Sequence, residues 1–306
     1  MNNILITVIG PTAIGKTSLA IKLAKHYNTE IISADSRQFY KELNIGTAKP
    51  SNEELFSVKH HLINNISIKD EYNISQFELD ARKKIEDLFK TKDTVIMVGG
   101  SGLYIDTVLY GIDEIPNVDF SVREKLNIEF ENNGLKNLLQ QLKKLDPKTH
   151  KKIDLNNHRR VIRALEVCIS TEKPYSYFIK NSEKKSNYNN IIIGLNSDRF
   201  KLHSLINNRV DMMIENGLLN EVKGLFKFKN LNALNTIGYK EIFEYLEKKI
   251  SLDEAIEKIK TNTRRYAKRQ ITWYKSNKEV NWFSYDYDIK NILSMINSFN
   301  PTQQSI

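Results

Sequence analysis

Apolar positions along this chain recur in two rhythms, and their order gives the first guide to its architecture. Ile4–Ile9 is a nearly unbroken apolar run of strand length, and Ser18–His26 follows it with helical spacing. Ile31–Ala34 is a short strand, Ile74–Lys90 an amphipathic helix, and Thr94–Val98 a second apolar strand closed by Gly99-Gly100. Strands alternating with helices in this way predict a parallel sheet with crossover connections. From Ile115 to about Asn190 the strand rhythm disappears. Val122–Asn132, Leu135–Leu145 and His158–Ser170 read as helices there, punctuated by Pro116, Pro147 and Pro174. Asn190–Leu195 then returns as a strand, with Ser197-Asp198 as a helix cap. Arg199 to Ser276 is helical in pattern, with Gly217, Gly224 and Gly238 as expected stops, and beyond Trp282 no period stands out.

The first strand and helix frame a loop with its own chemistry. Gly10-Pro11-Thr12-Ala13-Ile14-Gly15-Lys16-Thr17 completes the phosphate-loop pattern G-x-x-x-x-G-K-[ST] in the strand–loop–helix setting the pattern requires. Its glycines let successive amides curl toward one anion, and the helix N-terminus adds its positive dipole end. Lys16 contributes a point charge, and the Thr17 hydroxyl is placed to ligate Mg²⁺. A di- or triphosphate is the expected ligand. The fold class is therefore α/β: a P-loop NTPase-like parallel sheet core over residues 1–114 and 190–306, an inserted helical domain over 115–189, and a helical C-terminal region. Ligands of such sheets gather at the carboxyl ends of the strands. Asp35 and Ser36 after one strand, and Gly99 to Ser101 after another, are accordingly expected around the phosphate loop.

Composition narrows the setting. With 306 residues, 40% of them hydrophobic, the chain can bury a sizeable core. No apolar run approaches the ~18 residues of a membrane span, and Ile4–Ile9 is too short for a secretory signal. The single Cys168 excludes an internal disulfide and a multi-cysteine zinc site; within Val161–Cys168 it reads as a core residue rather than a reactive thiol. A reducing cytoplasm, and no membrane association, is the expectation. Net charge is +9. That suggests a polyanionic partner, but a composition rich in Lys, Asn and Ile raises charge by itself, so clustering is the sharper test.

Three features depart from an ordinary ATPase. Such enzymes place an acidic residue at the end of a neighbouring strand to hold Mg²⁺ and orient water. Here Thr94–Val98 ends in Gly-Gly-Ser, whereas Ile31–Ala34 delivers Asp35, either a base or a group that caps a helix or holds Mg²⁺ through water. Arg209, on a helix whose apolar positions point elsewhere, is either solvated or a phosphate clamp. Lys258 to Lys278 holds eight cations and no acidic residue between its ends, with Lys260, Arg264 and Lys268 in line at i, i+4 and Arg265 and Arg269 beside them. Ile259, Tyr266 and Trp273 form another face able to pack on the core. One-sided basic charge of this kind suits a nucleic-acid backbone. Arg159, Arg160 and Arg163 form a second basic group, which Glu166 is placed to neutralise in part.

Taken in order, these segments resemble the tRNA dimethylallyltransferases, which prenylate an adenine beside the anticodon. The matching pieces are Gly10–Thr17, Ile32–Ser36, Asn44–Pro50, His60–Ile63, Val98–Tyr104, Arg163–Val167, Arg209 with Asp211, Gly238–Glu241 and Lys268–Trp273. Ser101 stands where Thr is common and Lys240 where Arg is common, both conservative in chemistry. The resemblance is to the bacterial type, without the zinc-finger extension of eukaryotic members.

The resemblance implies that the loop cradles the pyrophosphate of dimethylallyl diphosphate rather than ATP, with Mg²⁺ as cofactor. It implies Asp35 as general base, with Lys16, Thr12 and Arg209 on the diphosphate. Asp35, Ser36, Arg37 and Gln38 would belong to the tRNA contact surface, together with Arg159, Arg160, Arg163, Lys240, Arg264, Lys268, Arg269 and Gln270; Ser101 and Arg123 match two further contact positions. The partner would be a tRNA anticodon stem-loop, met by a monomer. A small-molecule P-loop kinase, a prenyltransferase acting on free AMP or ADP, and a non-catalytic RNA-binding protein are the competing readings.

Overall fold

The computed structural model describes residues 3–116, 118–180 and 188–299, which form two compact units, Met1–Leu109 with Ser186–Ile306, and Tyr110–Lys185. The first unit opens with β1 (Ile4–Ile9), α1 (Lys16–His26), β2 (Ile31–Ser33), α2 (Asn52–Ser57), β3 (His60–His61), α3 (Ile74–Phe89), β4 (Thr94–Val98) and α4 (Gly102–Tyr110). The second holds α5 (Phe120–Asn133), α6 (Leu135–Leu145), α7 (Pro147–Lys152), α8 (His158–Thr171) and α9 (Tyr175–Phe178). The first unit then resumes with β5 (Asn189–Asn196), α10 (Arg199–Glu215), α11 (Leu218–Leu225), α12 (Tyr239–Leu246), α13 (Leu252–Lys275), β6 (Val280–Ser284) and α14 (Ile289–Phe299).

The strands make one parallel sheet in the order β3-β2-β4-β1-β5-β6. All six residues of β1 are buried, because β4 and β5 flank it and helices cover both faces. Its register, Val8 opposite Val98 and Ile9 opposite Gly194, brings the ends of β1, β4 and β5 level. Local chemistry fixes where the longer helices start. Asn73 with Gln76 opens α3, and Ser251 with Glu254 opens α13, each as a reciprocal capping box. One core joins the sheet to α1, and a second gathers α10 to α13 around the fully buried Tyr239. The Tyr110–Lys185 unit has its own small core, including Leu138, Leu142, Val161 and Leu165.

Several expectations need correction. Gly224 lies inside α11 rather than ending a helix, and Gly238 starts α12 with φ 94°, whereas Gly217, with φ 95°, closes the end of α10 as expected and also begins α11. The segment beyond Trp282 completes an edge strand and adds α14. An edge strand with alternating burial, only five residues long, gives little signal in sequence. Trp273 is not a core residue: it is 39% exposed and donates its indole N–H to Asp106 Oδ2 at 2.7 Å. Among the described residues no helix is long and apolar enough to cross a membrane.

The carboxyl ends of β2 and β4 meet at Gly99, where an added Cβ would lie 2.2 Å from the Ala34 carbonyl oxygen. Gly99→Ala should force the two ends apart and cost about 1–3 kcal/mol. Urea denaturation followed by circular dichroism reads this as a lowered midpoint, and an unchanged midpoint would refute the close approach.

Candidate active site

A cavity of about 680 Å³ opens where β1, β2 and β4 end, and its lining joins the phosphate loop to Asp35, Arg209 and the Thr47–Pro50 segment. The loop's shape is set by backbone conformations that suit few residues. Gly10 has φ 145°, with no room for a Cβ against the Leu195 carbonyl (2.5 Å), while Ala13 and Gly15 are left-handed at 67° and 93°. Gly15 thereby begins α1 and aims its N-terminus at the cavity.

One side chain from the far end of the chain holds the loop in place. Gln270 on α13 accepts from the Thr12 N–H at 2.8 Å and donates to the Gly100 carbonyl at 2.8 Å. A Cβ on Gly100 would lie 2.3 Å from the Gln270 amide nitrogen, so a larger residue in the turn after β4 would displace this clamp. The Thr12 N–H is therefore engaged within the protein, and its Oγ1 accepts from Arg209 Nη1 at 3.2 Å. Arg209 is consequently not a solvated surface residue. Burial presses its pKa down, and the nearby Asp35 partly offsets this.

Lys16 sits under the same constraint. Its Nζ donates to the Pro11 carbonyl at 2.7 Å. Burial, reinforced by repulsion from Arg209 and opposed by Asp35, lowers its pKa to about 7. Asp35 Oδ1 accepts from the Arg37 N–H at 2.9 Å, closing a tight turn after β2 rather than capping an α-helix. Tyr266 also lines the cavity, its phenol pushed up to about 12, mainly by burial and then by Asp35.

Sequence reading left two supports of this cavity without a role. Lys49 donates to the Tyr40 carbonyl at 2.6 Å and to the amide oxygens of Asn44 and Asn64, and burial lowers its pKa to about 8. Glu221 accepts from the N–H groups of Asn44, Ile45 and Gly46 and from the Tyr239 hydroxyl. Gln38 adds a third tie, donating to the carbonyls of Thr47 and Ala48 while accepting from Ser33 Oγ. Only the Thr47–Pro50 motif itself hinted that this stretch belongs to the site.

The expected tRNA-contact residues divide sharply. Arg159, Arg160, Lys240, Lys268 and Arg269 are exposed. Gln270 is 5% exposed with its amide spent internally, and Ser101 is buried, its hydroxyl bonded to Ser36 N and Oγ, so neither offers a contact surface. Arg123 and Arg163 both pair with the fully buried Glu166, which offsets one of their two charges. Arg264 donates to Asn207 and Thr261, tying α13 to α10. Within the basic stripe Lys258 pairs with Glu244 and Lys260 with Asp211, carboxylates supplied by α12 and α10 that the helix's own sequence does not show.

The cavity offers a hydroxyl oxygen of the kind that a hard divalent cation takes as a ligand. Thr17 lines it, and among the described residues no cluster of three or more His, Cys, Asp or Glu is placed to hold a metal. A small hard cation that takes most of its ligands from phosphate oxygens and water needs no such cluster.

A family model described as IPP transferase matches residues 38–277. The chain belongs to the IPP transferase family. A relative named tRNA dimethylallyltransferase from Christiangramia forsetii is 51% identical over 298 residues, covering 97% of this chain and 99% of the relative. The crystal structure of the tRNA isopentenylpyrophosphate transferase of Bacillus halodurans is 37% identical, with a TM-score of 0.71, covering 99% of this chain and 96% of that one. A structure of a eukaryotic dimethylallyltransferase acting on tRNA has a TM-score of 0.81 at 28% identity, covering 98% of this chain and 80% of that one. The span matched by the family model begins at Gln38, after the phosphate loop and Asp35. Those residues join the family through the full-length relatives and through the geometry above.

A bound polyanion restores the charge that burial disfavours on Lys16, so ligand binding should take up a proton above pH 7. The protonated amine binds better, so affinity for pyrophosphate should fall as pH rises through the free-state pKa, and Lys16→Ala should flatten that slope. Calorimetric titration with pyrophosphate over pH about 6–9, in buffers of different ionisation enthalpy, reads both effects. Equal slopes in the two proteins would refute the assignment.

Proposed function

We propose that this chain transfers a dimethylallyl group from dimethylallyl diphosphate to the exocyclic amine of the adenosine on the 3′ side of the tRNA anticodon, releasing pyrophosphate. The observation that carries the reading is the sharing of one cavity by the Asp35 carboxylate and the cations Lys16 and Arg209, with glycine rather than an acid at the end of β4. A water-activating ATPase site has the reverse arrangement.

The bond that breaks joins the first prenyl carbon to the diphosphate oxygen, and the bond that forms joins that carbon to the adenine amine. An allylic carbon delocalises positive charge, so cleavage can run ahead of bond formation and the main demand falls on the departing pyrophosphate. Loop amides, Lys16 and Arg209 meet it with charge already in place. When bound, Mg²⁺ adds charge neutralisation at the diphosphate, held from the protein side by the Thr17 hydroxyl. The Asp35 carboxylate orients the amine, whose lone pair is conjugated with the ring, and accepts its proton. Tyr266, neutral because burial disfavours the phenolate, keeps a hydroxyl donor in the same lining.

A stacked adenine cannot reach this cavity, so the base flips out of the anticodon loop at a cost of a few kcal/mol. Phosphate contacts from exposed cations such as Lys268, Arg269, Arg159 and Arg160 offset that cost and make binding fall steeply with salt.

Asp35→Asn should lower kcat by about 10²–10⁴ while tRNA affinity stays within about twofold. Labelled dimethylallyl diphosphate, incubated with tRNA, with AMP or alone, should give label in tRNA only. Label in AMP, or a near-normal rate for Asp35→Asn, would overturn the substrate or the base assignment respectively.

A further inference from the structure

Thr47, Ala48, Lys49 and Pro50 line the cavity of about 680 Å³ without belonging to a helix or strand, and none of them has a task in the transfer chemistry. Lys49 is a cation in an anion-binding cavity and invites assignment to the diphosphate. An ammonium has three donors, however, and all are engaged: by the Tyr40 carbonyl at 2.6 Å, by Asn44 Oδ1 at 3.0 Å and by Asn64 Oδ1. The rest of the stretch is similarly closed. Thr47 Oγ1 donates to the Leu43 carbonyl at 2.9 Å, and Gln38 Nε2 donates to the carbonyls of Thr47 and Ala48 at 3.2 Å each. The N–H groups of Ala48 and Lys49 return to the carbonyls of Ile45 and Asn44. With these polar groups engaged, what the stretch offers a ligand is carbon, from the Ala48 methyl, the Pro50 ring and the Lys49 stem. Ile63 adds apolar surface to the same lining, while Glu54 is engaged by the Ser51 N–H at 2.8 Å and burial keeps His60 neutral.

One carboxylate fixes where this wall stands. Glu221 Oε2 accepts from the Asn44 N–H at 3.1 Å and the Ile45 N–H at 2.8 Å, and its Oε1 accepts from the Gly46 N–H at 3.0 Å and the Tyr239 hydroxyl at 2.5 Å. Each oxygen thus receives two donors. A carboxylate satisfies that pattern and a carboxamide does not, because its nitrogen would face donors. Tyr239 is fully buried, and burial, with Glu221 beside it, holds its phenol protonated. A Cβ on Gly46 would lie 2.4 Å from the Tyr239 ring, so the loop is seated directly on the core. Two residues later Ala48 takes a left-handed turn, with φ 46°, in the cavity lining.

The phosphate loop, Lys16 and Arg209 meet the diphosphate, and Asp35 meets the amine. The prenyl tail is the remaining component and needs carbon contacts, which the Thr47–Pro50 stretch supplies. The same cavity must also hold the diphosphate and the adenine, so the position of this wall sets the room left for the tail. A wall held through its backbone yields less than a side chain would.

We propose that Glu221 is a positioning residue for donor selection: by anchoring residues 44–46 it fixes Thr47–Pro50 as an apolar wall that admits a five-carbon allylic tail and excludes a longer one. This deepens the reading of the chain as a prenyltransferase and rests on it.

The test supplies the full chain with tRNA and an equimolar mixture of dimethylallyl and geranyl diphosphate, resolves the prenylated nucleosides by mass spectrometry, and measures the KM of each substrate separately. The wild type should favour the five-carbon product by at least about tenfold. Glu221→Gln should lower that ratio by about tenfold and raise the donor KM, with the KM for tRNA unchanged. Ala48→Gly, which suits the left-handed φ and removes one wall methyl, should lower the ratio as well. Loss of folded protein would reduce both products equally, so the ratio separates positioning from stability. Should thermal melting show that Glu221→Gln is unfolded, Tyr239→Phe, which withdraws one donor from Glu221, takes its place with the same expected direction. A wild type without preference, or an unchanged ratio in either substitution, overturns the inference. A wild type that prenylates no tRNA with either donor overturns the functional reading instead.

Discussion

Two half-buried cations beside the Asp35 carboxylate are the constraint around which the first unit is organised. Lys16 and Arg209 repel each other, burial disfavours both charges, and Asp35 compensates only in part. The fold tolerates this because the surrounding links are rigid: Gln270 bridges the phosphate loop and the turn after β4, and Thr12 takes one donor of Arg209. An arrangement short of negative charge is relieved by a polyanion, and most fully when charge on that polyanion grows. The proposed stabilisation of a departing pyrophosphate draws on that bias in the resting electrostatics.

The same accounting explains which basic residues remain for a nucleic acid. Sequence counts charges along one helix, but neutralisation comes from wherever the fold brings a carboxylate. Asp211 and Glu244 remove Lys260 and Lys258 from the stripe on α13, and Glu166 offsets one of the two charges of Arg123 and Arg163. What is left is a sparser set, in which Arg265, Lys268, Arg269 and Lys275 are exposed on the C-terminal half of α13. Arg269 lies 5.7 Å from the ring of Tyr266, which itself lines the candidate site, so the basic surface and that cavity share one helix.

The loop that matches the family's Thr-Ala-Lys-Pro segment shows how precise positioning is achieved without regular structure. Residues 44–49 form no helix or strand, yet Glu221 accepts from the N–H groups of Asn44, Ile45 and Gly46, Gln38 donates to the carbonyls of Thr47 and Ala48, and Lys49 ties the stretch to the Tyr40 carbonyl. A buried loop with unpartnered amides would be costly. Here a carboxylate and a carboxamide replace the ladder of a sheet.

By itself the sequence determined the α/β class, the phosphate loop and the strands that deliver Asp35 and Gly99-Gly100. These depend on periodicity and on glycines at fixed spacing, both local properties of the chain. It also carried enough ordered motifs to place the chain in its family. Tertiary structure alone decided that Gln270 is an internal clamp rather than an RNA contact, that Arg209 turns inward to Thr12, and that Trp273 faces solvent. It also decided which cations are free. These outcomes depend on partners 258 residues away, as between Thr12 and Gln270, or on carboxylates of other helices. A side chain's burial and charge balance are set by what packs against it, and no local pattern records that.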